Sequence, residues 1–287
     1  MKFLNAKQIC DQAIAQGFAV PALNTNGGTY DITRAIIEAA EELQSPLIIQ
    51  CYEPNLEYRG YEYSAMLIKF LARECTIPVA IALDHGKTPD SVDRAVKAGF
   101  THVMIDYADQ SLEANARGTR EIIQTVRPLG VSVEAEVGHI IKSSDAEGRK
   151  APTASVQEVR EFLSMVDVDL LAVAVGTTHG IFKEQRTIDF DLIARMRATT
   201  NIPLVLHGTC GVSMEDITRS VKAGMTKINF GEGLRMNYIR YFNEYTHSLD
   251  HEHHAWRIMR ACKDRTKKDV KEIIRAVGSE GKAHLIK

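Results

Sequence analysis

Short apolar runs recur along the chain, with helical patterns between them. Eight runs read as strands: Phe18 to Asn24, Pro46 to Cys51, Pro78 to His85, His102 to Asp106, Val131 to Val137, Leu170 to Gly176, Ile202 to Gly208 and Thr226 to Phe230. They are rich in Val, Ile and Leu and alternate only weakly, as parallel strands do when helices cover them. The intervening stretches show a helical period, as in Ile32, Ile36, Ile37, Ala40 and Leu43, or Val92, Ala95, Val96 and Phe100. Start and stop residues agree with that pattern. Pro89 and Asp90 open one helix, Ser155 and Ser213 stand at the start of two more, and Gly99 and Gly224 close helices just before a strand. Strand and helix alternate eight times, which predicts an α/β fold, a (β/α)8 TIM barrel. Additional C-terminal helices are expected over about Leu234 to His247 and Arg265 to Ala276. No linker rich in Pro, Gly or Ser interrupts the alternation, so residues 1–287 are expected to form a single barrel domain. One long polar stretch, residues 139–154, follows the fifth strand and reads as a mobile active-site loop.

Composition narrows the function classes. The 35 Lys and Arg residues against 37 Asp and Glu leave a formal charge of −2, so neither a nucleic-acid groove nor a basic membrane face is expected. No apolar run reaches the length of a membrane helix, and the polar opening of the chain does not resemble a signal peptide, so a cytoplasmic protein is expected. The five cysteines are scattered and never spaced as a C-x-x-C pair, which argues for a reducing compartment.

In a barrel of this kind the active site lies at the carboxyl ends of the strands. Those ends carry Asn24, Gln50 with Cys51, Asp84 with His85, Asp106, Glu134 with Glu136, Gly176 through His179, His207 and Asn229. A ring of polar groups at a closed mouth implies mutual hydrogen bonding, a metal or a substrate. Taken singly, His85, His179 and His207 read as hydrogen-bonded structural residues. Taken together, three imidazoles converging on one point with a fourth position open describe a catalytic zinc site. His247, His251, His253 and His254 lie among charged neighbours and read as a solvated face. Asp84 directly precedes His85 and is placed to exchange a proton beside a metal. Glu134 and Glu136 project from the same side of a strand. Two buried acids there suggest a second metal position or a raised pKa, or else an ion-paired layer inside the barrel. The turns at Gly176 to Gly180 and His207 to Gly211 are small-residue loops whose N–H groups can approach an anion, and Lys183 would add positive charge.

These residues fall in motifs: LDHG at 83–86, VMID at 103–106, VEAEVG at 133–138, LAVAVGTTHG at 171–180, LVLHG at 204–208, KIN at 227–229 and GSEGKA at 278–283. Together with ALNTN at 22–26 they resemble, in order and along almost the whole chain, the class II metal-dependent ketose-bisphosphate aldolases, particularly the tagatose-bisphosphate branch. The resemblance implies a zinc held by His85, His179 and His207, with Glu134 and Asp106 near an alternative metal position. A monovalent cation such as Na+ or K+ belongs to the same expectation. It implies reversible cleavage of a phosphorylated ketose to dihydroxyacetone phosphate and an aldehyde through a zinc-stabilised enediolate, without a lysine Schiff base. Asp84 matches the residue that exchanges a proton with the C4 hydroxyl. Asn24 and Asn229 match substrate-binding positions, and Gly180, Gly208, Cys210 and Gly211 fall on the phosphate cradle. A homodimer or homotetramer is implied as well, with an accessory subunit in some tagatose-type relatives.

The chain departs from the family pattern at several points. Cys210 stands where Ser is common, and Glu232 stands where a phosphate-touching Thr is usual. Asp106-Tyr107-Ala108-Asp109 replaces Asp-x-Ser-His, and the segment Ile140 to Asp145 replaces the acidic motif of the mobile loop, leaving Asp145 and Glu147 as candidate loop acids. The metal set and Asp84 are intact, whereas phosphate recognition is disturbed. An aldolase acting on a non-standard ketose or a sugar-acid phosphate is therefore an alternative. A barrel hydrolase or isomerase using the same metal and a non-catalytic assembly subunit are the other two.

Overall fold

The computed structural model describes residues 3–140, 151–180, 187–248 and 254–286. Eight parallel strands close into a barrel in chain order, β8 pairing back onto β1. The order is α1 (Ala6–Gln16), β1 (Val20–Asn24), α2 (Tyr30–Glu42), β2 (Leu47–Tyr52), α3 (Glu53–Arg59), α4 (Tyr61–Ala72), β3 (Val79–Gly86), α5 (Pro89–Ala98), β4 (His102–Ile105) and α6 (Leu112–Val126). It continues with β5 (Ser132–Val137), α7 (Val156–Met165), β6 (Leu170–Val173), α8 (Phe190–Arg197), β7 (Leu204–Leu206), α9 (Met214–Ala223), β8 (Met225–Phe230), α10 (Glu232–Ser248) and α11 (Ala255–Ala276). Among the described residues no helix is long and apolar enough to cross a membrane.

The strands are buried on both faces, and the two faces do different work. Outward side chains such as Leu23, Ile49, Ile81, Val103, Val133 and Leu171 pack under the surrounding helices. Inward ones at the bottom are mostly small: Ala22, Ala80, Ala82 and Ala172 lie with Val20, Ile48 and Val205 against Ile9, Cys10 and Ala13 of α1. Helix α1 thus plugs the amino-terminal end of the barrel, leaving the opposite end for polar chemistry. Each fully buried Ile or Leu contributes about 1.5–3 kcal/mol by leaving water.

Caps set the helix boundaries. Thr88 caps α5 ahead of Pro89, and Ser155 and Ser213 cap α7 and α9. Gly99 and Gly224 end α5 and α9 with positive φ of 89° and 125°. Helix α1, absent from the apolar pattern, carries a capping box between Asn5 and Gln8 that marks its start. Helix α11 begins at Ala255 rather than near Arg265, because Ile258, Cys262, Thr266 and Val270 already form one buried stripe. The last strands are shorter than the apolar runs suggest. β6 ends at Val173 and β7 at Leu206, so Gly176–His179 and His207 stand on loops beyond them. Gly208 has φ 69°, and a Cβ there would lie 2.7 Å from the Thr178 carbonyl oxygen. Only glycine lets the two loops pack this closely, and that contact brings His207 beside His179.

Candidate metal centre and active-site cavity

Neighbouring residues on a strand point to opposite faces, yet Asp84 and His85 both line the mouth. The register between β3 and β4 shifts between Leu83 and Gly86, and His85 takes φ 53°. This irregularity re-aims one side chain, as bulges beside active sites do, and the strained φ costs on the order of 1 kcal/mol or more. Gly86 follows because a Cβ there would meet Leu83 at 2.7 Å and the Met104 carbonyl at 2.8 Å.

The three predicted imidazoles meet. Ring centroids are 5.0 Å apart for His85 and His179, 4.9 Å for His85 and His207, and 6.0 Å for His179 and His207. One nitrogen from each lies within 4.8 Å of the other two. Two carboxylates decide which nitrogens these are. Asp106 Oδ2 accepts from His85 Nδ1 at 2.7 Å, and Glu134 Oε1 accepts from His207 Nε2 at 2.8 Å. The remaining nitrogens, His85 Nε2 and His207 Nδ1, then face each other at 3.1 Å, with Asn229 Nδ2 3.3 Å from the latter. Such an arrangement is repulsive unless a proton or a cation lies between. The third ring adds a buried Nε2 on His179 with no partner among the described residues. Three nitrogen donors on one cavity, two of them backed by carboxylates, fit a divalent metal with one position open. Burial pushes the His179 imidazole down to about 2 and lowers His207, so both stay neutral, the form that ligates. Burial also lowers His85, but the Asp106 hydrogen bond and the neighbouring carboxylates together outweigh it and raise that ring to about 9.

The two glutamates separate in a way their spacing did not reveal. Glu134, expected near an alternative metal position, lies one layer below the histidines. Its oxygens accept from Lys227 Nζ at 2.8 Å and His207 at 2.8 Å and contact His102 Nε2 at 3.2 Å. Burial opposes its ionisation, but Lys227 and the two imidazoles hold its carboxyl well below the usual range. Gln50 completes the layer, its amide oriented to donate to the Ala22 carbonyl at 3.1 Å and to accept from Lys227 at 3.2 Å. His102 continues downward to Ser132 Oγ at 2.9 Å, which accepts from the Ala6 N–H at 3.1 Å at the start of α1. Glu134 is thus fully engaged in an ion-paired layer. Glu136 instead joins His85 and Asp106 in a second group whose ligand atoms share a 4.8 Å span.

That second group already contains a cation. Lys87 Nζ donates to Asp106 Oδ2 at 2.6 Å, and Asp106 is held well below its ordinary pKa because His85 and Lys87 outweigh its burial. Glu136 Oε1 accepts from the Ile140 N–H at 2.9 Å, whereas its buried Oε2 has no partner among the described residues. Burial pushes the Glu136 carboxyl up to about 8. The carboxyl is therefore protonated at neutral pH in the metal-free chain.

Around these groups lies a cavity of about 630 Å³. Asn24, Asp84, Gly180, Gly208, Cys210 and Asn229 line it as expected, whereas Gly211 does not. Lys183, Asp145 and Glu147 lie outside the described residues, as do His251 and His253. His247 and His254 are exposed, and neither lines the cavity. The Asp84 carboxylate is oriented by Asn24, whose Nδ2 donates to Oδ2 at 3.0 Å. Cys51 turns away, buried against Thr25 Oγ1 at 3.4 Å. Lining residues that sequence reading missed are Asn26, Tyr52, Asn55, Lys87 and Arg235. Asn26 and Lys87 each stand two residues beyond a predicted site residue, the signal by which they were detectable.

A barrel with a three-imidazole donor set and a free carboxylate at its mouth is suited to lyase chemistry on a carbonyl substrate. The family model for class II fructose-bisphosphate aldolase matches residues 4–282, and the chain belongs to that family. It is an aldolase by descent, and thus a lyase. It is 32% identical over 302 residues to the fructose-bisphosphate aldolase of Thermus caldophilus, covering 96% of this chain and 98% of that one. It is 31% identical to the sulfofructosephosphate aldolase of Alkalicoccus urumqiensis, with 99% of each covered. Among solved structures, the YdjI aldolase of Escherichia coli K12 superposes with a TM-score of 0.87 at 26% identity, covering 98% of this chain and 100% of that one.

Two outcomes follow from this geometry. Glu134→Gln should weaken affinity for a divalent metal by roughly 10–100-fold, because His207 loses the charged partner that orients it, and lower the thermal midpoint because Lys227 is left buried without its counter-charge. Competition with a chromophoric chelator measures the first effect, and unchanged affinity would contradict the role. For Glu136, the folded chain holds a proton between about 4.5 and about 8 that the unfolded chain has released. Its contribution to stability therefore falls as pH rises through that window. Metal-free Glu136→Gln should gain in thermal midpoint over wild type as pH rises from about 5 to about 8.5, and a pH-independent difference would exclude the protonated carboxyl.

Proposed function

We propose that the chain is a zinc-dependent aldolase that cleaves a phosphorylated ketose reversibly into a triose unit and an aldehyde. The observation that carries this reading is the pair of imidazole nitrogens facing each other at 3.1 Å in a cavity that His179 and Asp84 also line. His85, His179 and His207 would hold the metal. A bound divalent ion would act as a Lewis acid on the ketose carbonyl and neighbouring hydroxyl, spreading the charge of the carbanion onto oxygen. The names of the two curated relatives share a ketose phosphate and differ in the remainder, which supports placing that class of substrate here.

The remaining work falls to side chains. In cleavage, Asp84 takes the proton of the C4 hydroxyl, the C3–C4 bond breaks, C4 leaves as an aldehyde, and the electron pair stays on C3 beside the carbonyl. Asp84 suits this because Asn24 fixes one of its oxygens and its side chain lines the cavity. Asn24 and Asn229 offer amides to the substrate's hydroxyls, and the close-packed turns at Gly180 and Gly208 expose backbone to the cavity. Lys227 is consumed by Glu134 and Asn229 at 2.8 and 2.9 Å and lies at the buried layer, so it forms no Schiff base.

Zinc-loaded protein should release a triose fragment from ketose phosphates, and a chelator should abolish the release. Asp84→Asn should keep zinc affinity within a few-fold while kcat falls by about 10²–10⁴. A coupled assay on both proteins decides the matter: turnover that survives chelation, or a near-wild-type rate in Asp84→Asn, would overturn the mechanism.

A further inference from the structure

The end of the cavity beside α10 is built unlike an anion site. A helix amino terminus ordinarily favours a phosphate through its free N–H groups and partial positive charge. Here the first residue of α10 is Glu232, which lines the cavity, so the protein's own carboxylate stands where that attraction is greatest. Arg235 also lines this corner, but its Nη2 donates to Glu232 Oε1 at 3.2 Å, and its charge is matched by that partner. Cys210 faces the same pair: burial pushes its thiol up and Glu232 pushes it further, so it stays a neutral, weak donor.

Charge across the whole lining has the same sense. Apart from the imidazoles, the cations among the described lining residues are Lys87 and Arg235, tied to Asp106 and Glu232 at 2.6 and 3.2 Å. Three carboxylates, Asp84, Asp106 and Glu232, face them. Even with a divalent metal added, this lining compensates one phosphate dianion far better than two. The other polar groups, including Asn26, Tyr52 and Asn55, are neutral and suit the hydroxyls of a sugar chain.

Resting on the aldolase reading above, we propose that the substrate carries a single phosphate, and that the Cys210–Glu232–Arg235 corner receives an uncharged hydroxyl terminus of the ketose. Glu232 accepts the hydrogen bond of that hydroxyl and turns away a second phosphate by like-charge repulsion. Glu232 is thereby the specificity-determining residue.

Binding tests this independently of turnover. Zinc-loaded protein is titrated calorimetrically with a hexitol 1-phosphate, the 6-phosphate and the 1,6-bisphosphate of the same non-cleavable polyol, and the matching ketoses are assayed for cleavage. One monophosphate should bind at least about tenfold more tightly than the bisphosphate, and Glu232→Gln or Glu232→Thr should erase most of that preference while leaving the thermal midpoint near wild type. A bisphosphate that binds as tightly as the tighter monophosphate, a preference unchanged within twofold in both variants, or no binding of any of the three would overturn the proposal. The expected ranking without cleavage of any ketose would instead overturn the aldolase reading and leave the inference standing. Cleavage that favours the bisphosphate would do the reverse.

Discussion

Two imidazole nitrogens that face each other at hydrogen-bonding distance, and so need a proton or a cation between them, are the constraint on which the site depends. Asp106 and Glu134 each fix one ring by taking its far N–H, and the near nitrogens of His85 and His207 are left 3.1 Å apart. Either partner alone would leave a tautomer free to relieve the repulsion. With both in place, a proton or a cation relieves it, and the buried Nε2 of His179, which has no partner among the described residues, offers a third donor to a cation.

Much of the barrel serves to hold that arrangement. The register shift in β3 turns two sequence neighbours, Asp84 and His85, toward one mouth, placing a carboxylate beside an imidazole. Gly208 removes the side chain that would keep the loop of His207 from the loop of His179. Beneath them, Glu134, Lys227 and His102 form a buried charged layer that runs through Ser132 to the start of α1. A layer of this kind is costly to desolvate, so it contributes less to net stability than to orientation. The orientation and tautomer of His207 are thus set from below, whereas Asn26, Asn55, Lys87, Cys210 and Arg235 line the cavity above, on the segments after β1, β2, β3, β7 and β8.

Several parts of this were legible in the sequence for physical reasons. Parallel strands covered by helices give compact Val, Ile and Leu runs, and caps such as Ser155 and Gly99 punctuate them, so the barrel and its mouth could be read directly. The histidines and Asp84 followed because a polar side chain held at the end of a buried strand must be paired, ligating or in contact with substrate. What escaped was depth. Glu134 and Glu136 share one side of β5, yet one is drawn into the layer of Lys227 and the other reaches the rim, and no periodicity distinguishes them. Lys87 and Arg235 escaped because long side chains fold back from beyond the strand ends. Helix α1 escaped because its apolar stripe is short, although its capping box was present. Gly211, read as part of a small-residue turn, is not among the residues that line the cavity.

X-ray absorption spectroscopy on protein loaded with one equivalent of zinc examines the centre itself. The account predicts a first shell of nitrogen and oxygen near 2.0–2.1 Å, with imidazole scattering that requires three histidines. A shell containing sulfur, or one satisfied by fewer than two imidazoles, would contradict it.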